Sequence, residues 1–269
     1  MTIENFKYPF TIGNTWIYSG FQNFSTYYDS LLFYHESIDT VIIDSLYNEI
    51  DSIYRFKISN KLIEYNYRNY MDTMITFNKS YRYSSNQNSP QAGLYHHGYS
   101  NATHNWIFPR SKTNNKIKFK IGSHLLDIDQ LRNLIDITYV INDSIIWESS
   151  PLLSIKYPVI LNDVWEYRGI NMPVKMDRKV INIDTENELF TIKTLYNFNN
   201  SLDTLDEITY DNNLNVFHTF SRSGLISFEF IADSMIVRYP TSDSLPILDS
   251  LYARVIWNYS LIESQVVID

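Results

Sequence analysis

Cysteine is absent from the 269-residue chain, which excludes disulfides, thiolate zinc sites and cysteine nucleophiles. Glycine is scarce, at 7 residues, and neither Gly-x-x-x-x-Gly-Lys nor Gly-x-Gly-x-x-Gly occurs, so the backbone cradles that hold phosphates have no material. Positive charge is also in deficit. Lys and Arg number 22 against 30 Asp and Glu, a net charge of -8, and the densest basic run is the short alternation Lys116-Ile117-Lys118-Phe119-Lys120. Nucleic acid and anionic membrane surfaces need a concentrated basic footprint, so neither is expected as a partner. No apolar run approaches the roughly 20 residues of a membrane-crossing helix, so no transmembrane segment is expected. Met1 to Asn5 lacks the basic and apolar regions of a signal peptide, so an export signal is not expected within this sequence. Gly-x-Ser-x-Gly, Ser-x-x-Lys and His-Glu-x-x-His are missing, which removes the common signatures of covalent and zinc-dependent hydrolysis.

What the chain does have is 44% hydrophobic residues with 22 Tyr and 15 Phe, together with many Ile, Thr and Asn. Aromatic and β-branched side chains suit a pleated, half-buried surface, whereas alanine, the best helix former, is rare. The composition predicts a packed, all-β protein.

An internal repeat is the strongest signal. Tyr8-Pro9-Phe10-Thr11-Ile12-Gly13-Asn14-Thr15-Trp16-Ile17-Tyr18-Ser19-Gly20 recurs without gaps as Tyr157-Pro158-Val159-Ile160-Leu161-Asn162-Asp163-Val164-Trp165-Glu166-Tyr167-Arg168-Gly169. Tyr, Pro, Trp, Tyr and Gly are retained, and Gly-Asn is replaced by the equally turn-prone Asn-Asp. A strand follows in each case. Trp16, Tyr18 and Gly20 share one face, as do Trp165, Tyr167 and Gly169, while Glu166 and Arg168 are expected on the other. Weaker matches continue the repeat. Val41 to Asp44 and Ile53 to Ile58 correspond to Val180 to Asp184 and Leu189 to Thr194, Gly93 matches Gly224, and Ile146-Trp147 matches Ile256-Trp257. The expected fold is two tandem copies of a curved, half-barrel-like antiparallel β-sheet module with few short helices. The first copy covers residues 1–153 with an insertion around 81–118, and the second covers 154–269.

Asp-Ser pairs at Asp29, Asp44, Asp51, Asp143, Asp233 and Asp249 read as punctuation between strands, because short polar side chains bond their own backbone. The best helical pattern runs from Leu125 to Ile135, with apolar residues at spacings of three and four and Ser123 placed to cap it.

Two sets of residues could carry function. Trp16, Tyr18, Trp165 and Tyr167 are candidate binding residues, with core packing as the blander alternative. His96, His97 and His104 fall in the insertion and are candidate metal ligands, although adjacent histidines on an extended chain point to opposite sides and their spacing matches no ligand motif. No catalytic residue and no cofactor is assigned.

The Tyr-Pro-x3-Gly-Asn-x-Trp-x-Tyr opening at Tyr8 to Tyr18, with its Asp-Ser turns and tyrosine-rich β pattern, resembles uncharacterised exported proteins and lipoproteins of Bacteroidetes and related bacteria. The resemblance implies an extracytoplasmic location, in the periplasm or at the cell surface, and a strongly curved sheet like the half-barrel of lipoprotein carriers. It implies no known activity. The functional expectation is a non-catalytic cell-envelope protein that binds a partner or serves as a scaffold. The alternatives are a carrier holding a hydrophobic ligand such as a lipid on a concave aromatic face, and a hydrolase dependent on carboxylates or a metal.

Overall fold

The computed structural model describes residues 1–26, 33–50, 52–66, 71–88, 92–101, 118–121, 124–126, 145–168, 175–197, 214–238 and 251–268. Among them every regular element is a strand, so the expected all-β class holds. No helix among the described residues is long and apolar enough to cross a membrane.

Each opening motif leads into a meander of long strands. After the two-residue β1 (Thr2–Ile3), the first meander comprises β2 (Thr15–Thr26), β3 (Phe33–Asn48), β4 (Ile53–Asn66), β5 (Met71–Asn86) and β6 (Gly93–Asn101). It continues, beyond β7 (Lys118–Ile121) and β8 (His124–Leu126), to β9 (Ile146–Lys156). Following the two-residue β10 (Val159–Ile160), the second comprises β11 (Val164–Arg168), β12 (Lys175–Asp184), β13 (Leu189–Asn197), β14 (Leu214–Ser221), β15 (Gly224–Arg238) and β16 (Leu251–Gln265). The two meanders join edge to edge through β16 and β2 in the order β11-β12-β13-β14-β15-β16-β2-β3-β4-β5-β6-β9. All neighbours pair antiparallel. The last strand, β9, returns against the first, β11, so the 12-strand sheet curls into a nearly closed barrel.

Alternation along the strands sets inside from outside. On β13, Phe190, Ile192, Thr194 and Tyr196 are buried, while Leu189, Thr191, Lys193 and Leu195 between them are only half-buried. On β4, Phe56 is buried and Lys57, Ser59 and Lys61 are exposed.

The two opening segments lie together over one end of the barrel. β1 pairs with β10, matching Thr2 with Ile160 and Ile3 with Val159, so the chain start docks onto the second opening segment. Phe6 packs edge-on against Phe190 and Tyr157. Phe10 meets Tyr54 and Phe56, and Tyr8 contacts Trp16, Phe56 and Phe220. Two apolar clusters result, one around Trp16, Ile43 and Phe56, the other around Trp165, Val180 and Ile192. Tyr8, Phe10, Tyr83 and Leu225 touch both.

The turns within the two opening segments are bonded alike. Gly13 N donates to Ile43 O, Asn14 N to Thr11 O and Ile43 N to Asn14 O; Asn162 N donates to Val180 O, Asp163 N to Ile160 O and Val180 N to Asp163 O. Gly13 and Asn162 both take positive φ, at 96° and 68°, which explains why glycine and asparagine alternate there. Likewise Ser52 and Glu188, the residues just before β4 and β13, have φ of 50° and 51°.

Two sequence expectations change. Leu125 and Leu126, placed at the start of a helix, belong to β8, which pairs with β7 through Lys120 and Leu125; the rest of that pattern lies outside the described residues. Short apolar runs carry both periods, and here pairing prevails. Asp44-Ser45 and Asp233-Ser234 do not end strands but sit at bulges inside β3 and β15. The same self-bonding side chains that favour turns also accommodate an extra residue in a ladder. Within the expected insertion, Tyr81–Asn86 and Gly93–Asn101 form parts of β5 and β6.

The motif glycine Gly20 owes its identity to packing. A Cβ there would lie 2.4 Å from the carbonyl oxygen of Asn258 and 2.5 Å from Cβ of Tyr259, where β16 crosses closely. At Gly13 a Cβ meets nothing, so only the φ of 96° resists substitution. Gly20→Ala is therefore expected to lower unfolding free energy by about 2 kcal/mol or more and Gly13→Ala by about 1 kcal/mol, compared by denaturant titration. Equal losses would contradict this assignment of roles.

Candidate functional site

A barrel of about eight strands is just wide enough for side chains to fill, and diameter grows with strand number. Twelve strands therefore need very large inward side chains, or they leave space. Both occur here. Trp16 is fully buried and Trp165 is 8% exposed, and both help seal the covered end. Above them a cavity of about 180 Å³ remains. Each of the twelve barrel strands contributes to its wall.

Tyr8 is the floor of this lumen, because it packs on the apolar clusters from one side and lines the cavity from the other. Rings from neighbouring strands continue up the wall. Tyr18 meets Tyr259 with centroids 5.5 Å apart, Tyr259 stacks on Phe228 at 4.8 Å, and Phe228 meets Trp257 and His218 at 5.0 Å. Opposite them, Phe56 meets Tyr83 at 5.2 Å. Polar groups interrupt this surface: Asp39 from β3, Lys79 from β5, Ser154 from β9 and Arg178 from β12 all line the cavity.

Among the described residues the seam between β9 and β11 carries no backbone ladder, and side chains from β11, β12 and the opening segment reach across it to β9. Lys156 Nζ is 2.8 Å from Asp163 Oδ2. Trp165 Nε1 donates to Leu153 O at 2.8 Å, and Arg178 Nη1 donates to Ser154 O at 2.7 Å. Arg168 Nη2 donates to Glu148 Oε1 at 2.9 Å, with both side chains largely out of solvent. Arg178 also lies over the Tyr167 ring, 3.7 Å from its centroid, which fixes that ring at the lumen wall. Arg168 was expected to point away from the Trp165 face. It is instead buried, because a bulge between Glu166 and Arg168 re-aims it at the seam.

Of the binding residues read from the sequence, Tyr18 and Tyr167 line the lumen. Trp16 and Trp165 are packed beneath it, and their indole nitrogens donate to the backbone at Ser223 and Leu153. The histidines are divided. His96 is a buried strand residue among Tyr81, Tyr83 and Tyr99, with Nδ1 3.9 Å from Glu148 Oε1. His97, on the other side of β6, meets Ser84 Oγ at 2.7 Å through Nε2. His104 lies outside the described residues. Among the described residues no three His, Asp or Glu side chains gather in a way that could hold a metal ion. Lys79, Arg178 and the Phe228–Tyr259 wall were not singled out from sequence, because inward direction on β5, β12 and β15 depends on register and bulges that the alternation alone does not fix.

No family model, curated protein or solved structure matches the chain.

Burial governs the tyrosines of the floor. It pushes the Tyr8 and Tyr18 hydroxyls well above the usual tyrosine range, despite an opposing hydrogen bond donated to the Tyr8 oxygen by the Leu225 backbone. It raises Tyr157 to about 12, against smaller opposing contributions from Ser85 and the Tyr8 backbone. Above pH 10 the unfolded chain ionises these groups while the folded chain keeps them protonated, so the folded state holds more protons. Stability is fully present below pH 10 and is expected to fall as pH rises through about 12. In an alkaline titration, late tyrosinate absorbance should then appear together with loss of β circular dichroism. Full ionisation of every tyrosine with the fold intact would contradict it. At the seam, Arg168→Met should cost about 3 kcal/mol or more in denaturant unfolding, since it strands the Glu148 carboxylate, and Glu148→Gln should cost less.

Proposed function

We propose that the protein is a non-catalytic binding protein that encloses a ligand with an apolar body in the lumen of its barrel. The observation that carries this reading is the cavity of about 180 Å³, whose wall draws aromatic side chains from both meanders. Concave, mostly apolar space with a few placed polar groups is the usual form of a small-molecule site. A barrel that served only as a scaffold would have no need for that space, and packing it shut would gain dispersion and hydrophobic stabilisation. Holding a hydrophobic ligand inside rather than on an open concave sheet also keeps both partners out of water over most of their surface.

We also read the two meanders as tandem copies of one ancestral unit. The matching hydrogen bonds at Gly13-Asn14 and Asn162-Asp163, and the matching positive φ at Ser52 and Glu188, support it. Two half-barrels, each curved but open, would have to join through both pairs of edges; β16 with β2 does so by a backbone ladder, β9 with β11 by side chains. An extracytoplasmic site of action is part of the reading and is supported by the resemblance of the opening motif.

Binding of a neutral solvatochromic dye such as Nile red, followed by its blue-shifted emission, tests the lumen. Val216 is buried and lines the cavity, so Val216→Trp fills it at a stability cost of about 1–3 kcal/mol. Wild-type protein should bind the dye with saturation, and the folded Val216→Trp variant should lose at least about tenfold in affinity. Undiminished binding by that variant would place the dye elsewhere and sink the reading.

A further inference from the structure

The chain as a whole is acidic, at a net charge of -8, yet the ionisable groups that line the cavity run the other way. Lys79 and Arg178 line it with Asp39, in a wall otherwise made of aromatic and aliphatic side chains, hydroxyls and the His218 imidazole. Two cations against one carboxylate make the lumen electropositive inside an electronegative protein. Low-dielectric walls strengthen that field relative to the same charges at the surface.

The two cations differ in occupation. Arg178 is already engaged, donating to Ser154 O and lying over Tyr167, so its guanidinium serves the seam. Lys79 forms no salt bridge or hydrogen bond among the described residues; as a whole it is half-buried, but its ammonium is enclosed. Burial opposes its charge, and the nearby Tyr81 and Asp39 outweigh burial, so its pKa lies above the ordinary lysine value and it is charged at neutral pH. An enclosed ammonium without a bonded counterion is costly unless the cavity supplies one. Lysine suits that role, as a compact point charge with three rotatable donors that needs no fixed acceptor geometry.

Resting on the lumen-binding reading above, we infer that the ligand is an anionic amphiphile, with its apolar body along the aromatic wall and its oxyanion group, carboxylate or phosphate, against the Lys79 ammonium. The aromatic side is supplied by Phe56 and Tyr83 near Lys79 and by Phe228, Trp257 and Tyr259 across the cavity. Asp39, placed close enough to Lys79 to raise its pKa, sets the selectivity: it disfavours an anion that cannot sit directly on the ammonium and would admit a cationic ligand only against Lys79 and Arg178.

The test compares three probes of one chain length at neutral pH, below their micelle concentrations: a conjugated polyene fatty acid, read by its own fluorescence, and the alkyl phosphate and alcohol of the same chain, read by displacement. A charge-assisted hydrogen bond in an enclosed site is worth about tenfold or more in affinity. The wild-type protein should therefore bind the acid or the phosphate at least about tenfold more tightly than the alcohol. The stronger of the two identifies the oxyanion. Lys79→Met should remove that preference while leaving alcohol binding near its wild-type value. Equal binding of acid, phosphate and alcohol by wild-type protein would overturn the inference and leave the lumen-binding reading standing. Binding of none of the three, with Nile red also unbound, would remove both. Should Lys79→Met fail to fold, the wild-type comparison alone decides.

Discussion

The structure depends on how its 12-strand sheet closes on itself at the seam between β9 and β11. Among the described residues all other neighbouring strands of the barrel share backbone hydrogen bonds, whereas β9 and β11 are joined by side chains. An open edge invites pairing with other chains, so it has to be covered or occupied. Here the edge carbonyls of Leu153 and Ser154 are taken by Trp165 and Arg178, and ion pairs from Lys156 to Asp163 and from Arg168 to Glu148 flank them. One of these, Trp165, belongs to the opening motif itself. A residue packed at the covered end thus also latches the barrel.

Closure at this strand number fixes the interior. Because twelve strands enclose more space than ordinary side chains fill, the sequence needs its tyrosines and phenylalanines pointing inward merely to approach native density. Even so, a cavity of about 180 Å³ survives above Tyr8. The opening segments convert an open tube into a vessel with a floor, since Phe6, Tyr8, Phe10 and Tyr157 fill one end and tie the chain start to the second meander through β1 and β10. The tyrosines at the floor contribute a phenol as well as area. Tyr18 hydroxyl donates to Leu225 O at 2.9 Å, so its buried polar atom is satisfied while the ring faces the lumen.

Much of this was legible in the sequence, and the reasons for the rest are specific. The repeated Tyr-Pro…Trp-x-Tyr segment, the all-β class and the inward direction of Trp16, Tyr18, Trp165 and Tyr167 follow from spacing and composition, because a period of two needs no tertiary information. Where the period breaks, the reading failed. Arg168 turned inward at a bulge, Asp44-Ser45 and Asp233-Ser234 proved to be bulges instead of turns, and Leu125-Leu126 paired as a strand. The closed barrel was also out of reach, since half-barrel curvature in each meander is a local property and the β16–β2 junction is a pairing between the two ends of the described chain. Lys79 had no signal of its own. A lone lysine in a strand reads as solvent-facing, and only the register of β5 against β4 and β6 brings it into the lumen.

On the proposed reading the barrel is a vessel whose lumen holds a ligand, and native mass spectrometry of the protein purified without denaturants, set beside its denatured mass, is the sharpest test of that role. A ligand-holding barrel should show an added small-molecule mass that disappears on denaturation, or, for protein isolated empty, uptake of one amphiphile per chain from an added mixture. Protein that is empty as isolated and takes up nothing from that mixture, with the fold shown intact by circular dichroism, would contradict it.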